Sequence, residues 1–251
     1  MNDIEIYYHE KPKLKNPIFI EGLPGIGNVG KLAAEHIIDQ LKGKKFADIY
    51  SKHFPPQVLI EDSGLIRLVE NQLYYAKRGK GKPDLIVLVG DYQGLTPEGQ
   101  YELTDFILRV IKEMNVKRIF TLGGYGIGRM IRKPRVLGAA TEEYLVKEMK
   151  KHGVVFSRGE PGAGIVGASG LLLGLGKFYG MESVCLMGET SGYFVDPKSA
   201  QAVLEILSKI LDVPFDYSDL QAKAKQIDSI TSRLKEIEAK VDREEDLGYI
   251  G

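Results

Sequence analysis

The sequence contains a single cysteine, Cys185, and no tryptophan. A lone cysteine excludes an intramolecular disulfide and any zinc centre built from clustered cysteines, and it suits a reducing compartment. Charge of one sign is also missing: Lys and Arg number 34 and Asp and Glu number 34. With no basic excess the chain has no general attraction for a phosphate backbone, so no nucleic-acid partner is expected. The opening MNDIEIYYHEKPKLK has no apolar signal-peptide segment, and no stretch reaches the roughly 18 uninterrupted apolar residues of a membrane span. The expectation is a cytoplasmic protein with no membrane partner. The four histidines, His9, His36, His53 and His152, lack ligand spacing, and neither HExxH nor GxSxG occurs. No metal and no cofactor is therefore expected.

What is present points to one large core. The chain has 251 residues, 43% of them hydrophobic, which is enough for a single main domain. NPIFIEG (16–22) reads as a strand, followed by a glycine turn and a helix over 30–41 with Leu32, Ala33, His36, Ile37 and Leu41 on one stripe. FADIYSKHF (46–54) is a second strand, and 57–78 reads as a small antiparallel meander broken at Asp62-Ser63-Gly64 and Glu70-Asn71. DLIVLVGD (84–91), VKRIFTLGG (116–124) and MESVCLMGE (181–189) are continuous apolar strands that need cover on both faces. Thr96-Pro97 and Asp196-Pro197 supply N-caps with a following proline for two helices. PRVLGAA (134–140) reads as a connection, 141–153 as a helix starting at Thr141, and 164–180 as a glycine-rich helix in close contact with a neighbour. Strands alternating with helices imply an α/β fold: three α/β/α layers around a mostly parallel mixed sheet.

From Ser218 the pattern changes. Leu220, Ile227, Leu234 and Val241 recur every seven residues among charged neighbours, and Ser218-Asp219-Leu220-Gln221 is a capping box. The expected organisation is a core over 1–217, a heptad-patterned helix over 218–242 and an acidic tail over 243–251. The stripe must rest on its own domain or on another chain, and Ile227 and Leu234 are its candidate contacts.

Two phosphate-binding patterns coincide in PGIGNVGKL (24–32): GxGxxG through Gly25, Gly27 and Gly30, and GxxxxGK through Gly25, Gly30 and Lys31. A P-loop needs a hydroxyl after the lysine to ligate magnesium, and position 32 is Leu. A dinucleotide loop needs an acid after the second strand, where Ser51, Lys52 and His53 stand; Asp48 lies inside the strand and points to a sheet face. The better-supported reading is a turn whose missing Cβ atoms let the helix approach the sheet. Gly25, Gly27, Gly30 and Lys31 remain weak candidates for anion binding at a helix N-terminus. The related PGAGIVG (161–167) reads as a second turn of the same kind.

Candidate catalytic groups are sparse. Asp91 and Glu189 end apolar strands and His53 follows one, so two carboxylates and an imidazole can be imagined converging for proton transfer, with Thr190 and Ser191 nearby. Strand ends carry polar residues in any case. Arg129, Arg132 and Lys133, beside the glycines of TLGGYGIGRM, read as solvated loop charges more readily than as an anion site. His36, on the apolar stripe, reads as a core residue.

Taken in order, GLPGIGNVGKLAAEHI (22–37), HFPP (53–56), VGDYQ (89–93), TLGGYG (121–126), PGAGIVGASGLLLG (161–174) and GETSGYFVDPKSA (188–200) resemble the archaeal branch of the proteasome-assembly chaperone family. The resemblance implies a phosphorylase/hydrolase-like α/β/α core without established catalysis, homo-oligomerisation, and binding to proteasome alpha subunits or the alpha ring. Some relatives carry an ATP-grasp label, to which Leu32 lends no support. The family's tail places a hydrophobic residue, a tyrosine and a last residue into pockets between α subunits. Here the chain ends Leu247-Gly248-Tyr249-Ile250-Gly251, with tyrosine third from the end and Gly248 where the pattern has a hydrophobic residue. Leu247, Tyr249, Ile250 and Gly251 are thus the candidate docking residues. The alternative is an enzyme or sensor for a nucleoside-like or phosphorylated compound at the glycine turns.

Overall fold

The computed structural model describes residues 2–79, 81–157, 159 and 164–230. It divides into two units, Met1–Phe215 and Asp216–Gly251. Among the described residues the first contains ten strands, β1 (Ile4–Tyr8), β2 (Ile18–Glu21), β3 (Lys44–Ser51), β4 (Val58–Ile60), β5 (Ile66–Leu68), β6 (Asn71–Ala76), β7 (Leu85–Gly90), β8 (Arg118–Gly126), β9 (Val136–Ala140) and β10 (Glu182–Thr190). Its five α-helices are α1 (Val29–Leu41), α2 (Pro97–Glu113), α3 (Glu143–Lys151), α4 (Ala168–Gly176) and α5 (Pro197–Leu211).

Eight strands form one sheet in the order β1-β3-β6-β7-β2-β8-β10-β9. The central β7, β2, β8 and β10 are mutually parallel. β6 and β9 run against their neighbours β7 and β10, and β3 and β1 alternate beyond β6. Five of the eight strands (β2, β3, β7, β8, β10) therefore point one way, giving the mixed, mostly parallel sheet expected. Every residue of β7 is buried, because it has a strand on each side and helices on both faces.

Period-two alternation divides the core. Phe19 and Ile119 join the cluster containing Leu103 and Ile107 of α2 and Leu172 of α4, whereas Ile20 and Phe120 face the opposite layer, where α1 and α5 pack together. Each fully buried side chain of this size contributes about 1.5–3 kcal/mol through removal from water. Both expected N-caps form: the Thr96 hydroxyl accepts from the Gly99 N–H at 3.0 Å, and the Asp196 carboxylate from the Ser199 N–H at 3.0 Å.

Several expectations need correcting. PRVLGAA is not a mere connection: Val136–Ala140 is the edge strand β9, antiparallel to β10. Gly138 lets Val154 and Phe156 cross it, since a Cβ there would lie 2.5 Å from Val154. The N-terminal Ile4–Tyr8, given no element above, is the other edge strand. Helix α3 starts at Glu143, not Thr141, because the Thr141 hydroxyl accepts from the Ser183 N–H at 3.0 Å and ties the preceding turn to the sheet. Helix α4 is shorter than the expected 164–180: residues 164–167 are not helical, Gly167 has φ 87°, and a 3-10 turn (Lys177–Tyr179) follows Gly176. The meander splits, with β4 and β5 forming a separate two-stranded sheet while β6 joins the main one.

In the second unit, residues 218–230 are helical. The rest of the expected 218–242 helix, including Leu234, and the tail with Leu247, Tyr249, Ile250 and Gly251 lie outside the described residues.

Candidate functional site

The C-terminal ends of β2, β8 and β10 meet at one edge of the sheet, the position where open α/β folds bind ligands. β2 ends in Glu21, whose side chain is fully buried because β7 and β8 flank it and α4 covers it. The carboxylate accepts from the Leu23 N–H at 2.8 Å and from the Ser169 hydroxyl at 2.9 Å. Burial disfavours its charge and outweighs both hydrogen bonds, raising the pKa to about 7. Glu21, Thr121 and Cys185 lie side by side on adjacent strands, and burial likewise pushes the Cys185 thiol up to about 12.

Next comes the glycine turn. Residues 26–28 form a 3-10 turn leading directly into α1, in which the Asn28 N–H donates to the Gly25 carbonyl at 2.9 Å and the Val29 N–H to the Ile26 carbonyl. Gly30 brings α1 against β8, for a Cβ there would lie 2.0 Å from the Leu122 carbonyl oxygen. Gly27 adopts φ 62° beneath Thr190, a conformation that disfavours other residues. Gly25 is different. Its backbone is extended and a Cβ would meet nothing within 4 Å. Lys31 lies 3.8 Å from Glu35, one helical turn away.

Between this turn, β8 and the start of α4 lies a cavity of about 510 Å³, whose walls include Gly25, Ile26, Gly30, Gly123, Ser169 and Met187. Gln93 holds two sides together: its amide nitrogen donates to the Pro24 carbonyl at 2.7 Å and its amide oxygen accepts from the Ala168 N–H at 2.9 Å. The walls are mainly glycine backbone and aliphatic carbon. The one hydroxyl among them that touches a titratable group, that of Ser169, already donates to Glu21.

The residues imagined to converge do not form one centre. Asp91 accepts two bonds from the Arg67 guanidinium, at 2.5 and 2.9 Å, and one from the Glu70 N–H. Burial alone would raise its pKa, but these bonds and the guanidinium charge hold it below the usual carboxylate range. Glu189 is bound by the Arg135 side chain and main chain, with the Arg135 guanidinium as the main reason its pKa is lowered. β2 and β8 separate β7 from β10, which at about 4.8 Å per strand sets their ends some 14 Å apart. His53 pairs instead with Glu102 at 2.6 Å. Arg129, Arg132 and Lys133 are exposed. His36 is buried edge-on to Phe215, and Asp48 is buried in β3 beside His9 and Lys45. Among the described residues no cluster of three potential metal ligands occurs, and no helix is long and apolar enough to cross a membrane.

Glu21, Gln93 and Ser169 were not singled out from sequence. Glu21 had a signal: an acid ending an otherwise apolar strand just before a glycine turn. Gln93 and Ser169 fall inside two of the quoted family-like stretches, VGDYQ and PGAGIVGASGLLLG, but nothing local shows their roles, since each acts through a partner more than sixty residues away.

A three-layer α/β domain with a glycine-walled cavity at the switch edge of its sheet, a buried acid at the end of β2, and Asp91 and Glu189 tied up in separate ion pairs is the class of protein defined here. Residues 19–235 match the model of the PAC2 family, and the chain belongs to that family. Its structure is similar to that of Pyrococcus furiosus PbaB, described as an archaeal proteasome activator, with 42% identity, 94% of this chain and 100% of that one covered, and a TM-score of 0.89. It is also similar to P. furiosus PbaA, described as an archaeal homolog of proteasome-assembly chaperone, with 29% identity, 99% and 98% coverage and a TM-score of 0.77. In sequence it is 40% identical over 246 residues to the uncharacterised protein MJ1210 of Methanocaldococcus jannaschii, covering 95% of this chain and 93% of that protein. The likeness read from the quoted motifs is borne out.

Proposed function

We propose that the protein is a non-enzymatic, homo-oligomeric adaptor of the proteasome-assembly chaperone type, which binds proteasome alpha subunits, or the alpha ring, in an archaeal cytoplasm. The observation that carries this reading is the end-to-end similarity to PbaB, at 42% identity and a TM-score of 0.89. The site chemistry supports it, because Asp91, Glu189 and His53 are each engaged by a separate partner and none is positioned with another for proton transfer. In this reading the α/β body is a platform. The helix over 218–242, through Ile227 and Leu234, and the tail residues Leu247, Tyr249, Ile250 and Gly251 contact the partner. An aromatic ring and an aliphatic side chain bury apolar area, and the terminal carboxylate can pair with a cation in a pocket. Several weak tails on one oligomer reinforce each other when they engage one ring together.

Deleting residues 243–251 should leave the folded domain unchanged in far-ultraviolet circular dichroism while capture of proteasome α subunits falls by at least about tenfold. Undiminished co-purification would remove the tail from the mechanism. A second reading, a sensor of a nucleoside-like or phosphorylated compound, is favoured by the cavity of about 510 Å³ alone. Calorimetric titration with nucleosides and inorganic phosphate should give no saturable heat. Saturable micromolar binding that is lost in Gly27→Val would promote that reading over the adaptor.

A further inference from the structure

We propose that the cavity beside the glycine turn is a binding site for an uncharged, mostly apolar small molecule with a planar ring and one hydrogen-bond donor. Its volume of about 510 Å³ lies within the roughly 300–1,000 Å³ of small-molecule sites. A cavity of roughly 150 Å³ admits benzene, so two fused rings have room here. Gly123 carries the argument. It stands inside β8 without a positive φ, and a glycine in a strand interior weakens the strand and marks a place that another backbone or a ligand approaches closely. Its neighbour Gly124 has the first reason, since a Cβ there would lie 2.2 Å from the Ile26 carbonyl oxygen. Gly123 does not. A Cβ there would meet only the Met187 Cγ, at 3.9 Å, an ordinary contact, and both residues belong to the cavity wall. Gly25 and Gly164, also in the wall, would meet nothing within 4 Å. The space that these positions keep open is the cavity itself.

The walls define what fits. Among the described residues that line the cavity there is no Asp, Glu, Lys, Arg or His, so a charged group entering it would shed its water without gaining a counter-charge. Met187 stands opposite Gly123 in the register of β8 and β10, and Tyr125 follows on the same face of β8. A thioether and a phenol ring on either side of bare backbone suit a flat ring laid on Gly123. Polar capacity is small but present. The Ser169 hydroxyl donates to Glu21 and retains its acceptor sites. Thr121, fully buried two residues before Gly123 on the same face, has a hydroxyl with no partner beyond the weak one that the Cys185 thiol in the wall provides. One donor on the occupant can therefore be satisfied, whereas the several hydroxyls of a ribose cannot. Ile26 and Val166, 51% and 95% exposed, are apolar wall residues that an occupant would cover. The inference does not rest on the adaptor reading, and its ligand differs in class from the nucleoside-like or phosphorylated compound considered above.

The test uses the full chain at neutral pH. Calorimetric titration with 1-naphthol, an uncharged two-ring compound with one O–H, should give saturable binding in the micromolar range, and 1-naphthyl phosphate, the same rings with a charge, should give none. Gly123→Val places two methyl groups in the void at a strand position that suits a β-branched residue. It should keep the circular dichroism spectrum of the parent and weaken 1-naphthol binding at least about tenfold. A crystal of the parent grown with 4-bromo-1-naphthol should put the anomalous bromine signal against Gly123, and this measurement decides the matter should the variant fail to fold. No saturable binding by the parent, equally tight binding of the phosphate ester, unchanged affinity in the folded variant, or bromine only at another place would overturn the proposal. Loss of α-subunit capture with 1-naphthol binding intact would count against the adaptor reading alone.

Discussion

The turn at 25–30 and the hairpin at 58–68 use their residues in opposite ways. The turn resembles a nucleotide loop, yet two of its three glycine positions are filled by the protein itself, Gly30 by the backbone of β8 and Gly27 by Thr190, and its first amides donate to the Gly25 and Ile26 carbonyls. The hairpin, read in sequence as part of an antiparallel meander, carries no binding motif, yet among the described residues it presents five exposed aliphatic side chains. A motif with a familiar spacing can thus be consumed by packing, while a stretch without a binding motif leaves apolar side chains exposed. Burial and contact separate the two cases where pattern does not.

The sharpest way to break this contrast is Gly30→Ala. By helix propensity alone, alanine should stabilise α1 by about 1 kcal/mol. With backbone only 2.0 Å from the new methyl group, the expectation reverses to a loss of about 3 kcal/mol or more in urea unfolding. Gly25→Ala in the same turn should leave stability level or raise it by up to about 1 kcal/mol. Equal effects at the two positions would mean that the turn is not defined by packing. An effect that depends on pH, and no larger than that of Gly30→Ala, concerns the acid behind the turn. A carboxyl with a higher pKa when folded keeps its proton longer in the folded state, so folding loses ground as pH rises from 4.5 to about 7 and then levels off. Glu21→Gln removes that step. It should match the parent near pH 4.5 and exceed it by at most about 3 kcal/mol above pH 7. Unfolding curves whose separation does not change with pH would show that Glu21 is not held as described.

The fold was most legible where physics acts locally. β7, β8 and β10 are buried on both faces and therefore read as continuous apolar runs, and Thr96 and Asp196 cap their helices through bonds spanning three residues. The edge strands were harder. Ile4–Tyr8 is only partly buried and has no clean alternation, and Val136–Ala140 contains a glycine and two alanines, poor strand formers that serve because Val154 and Phe156 pack across Gly138. The candidate site was legible only in part. The glycine turn announced itself, but the cavity wall joins segments that topology alone brings together, and the separate engagement of Asp91, Glu189 and His53 depends on Arg67, Arg135 and Glu102, which no local rule links to them.

Gln93 carries a consequence for how such a chain can drift. Its two amide ends serve main-chain groups of Pro24 and Ala168, so the bridge does not depend on the side chain at either partner position, provided that position 168 keeps its N–H and is not proline. At position 93 itself even the nearest isostere fails: glutamate would set an anionic oxygen against the Pro24 carbonyl where a donor is required. The crossing is thus specified by the amide at position 93 and by main-chain atoms on its two banks.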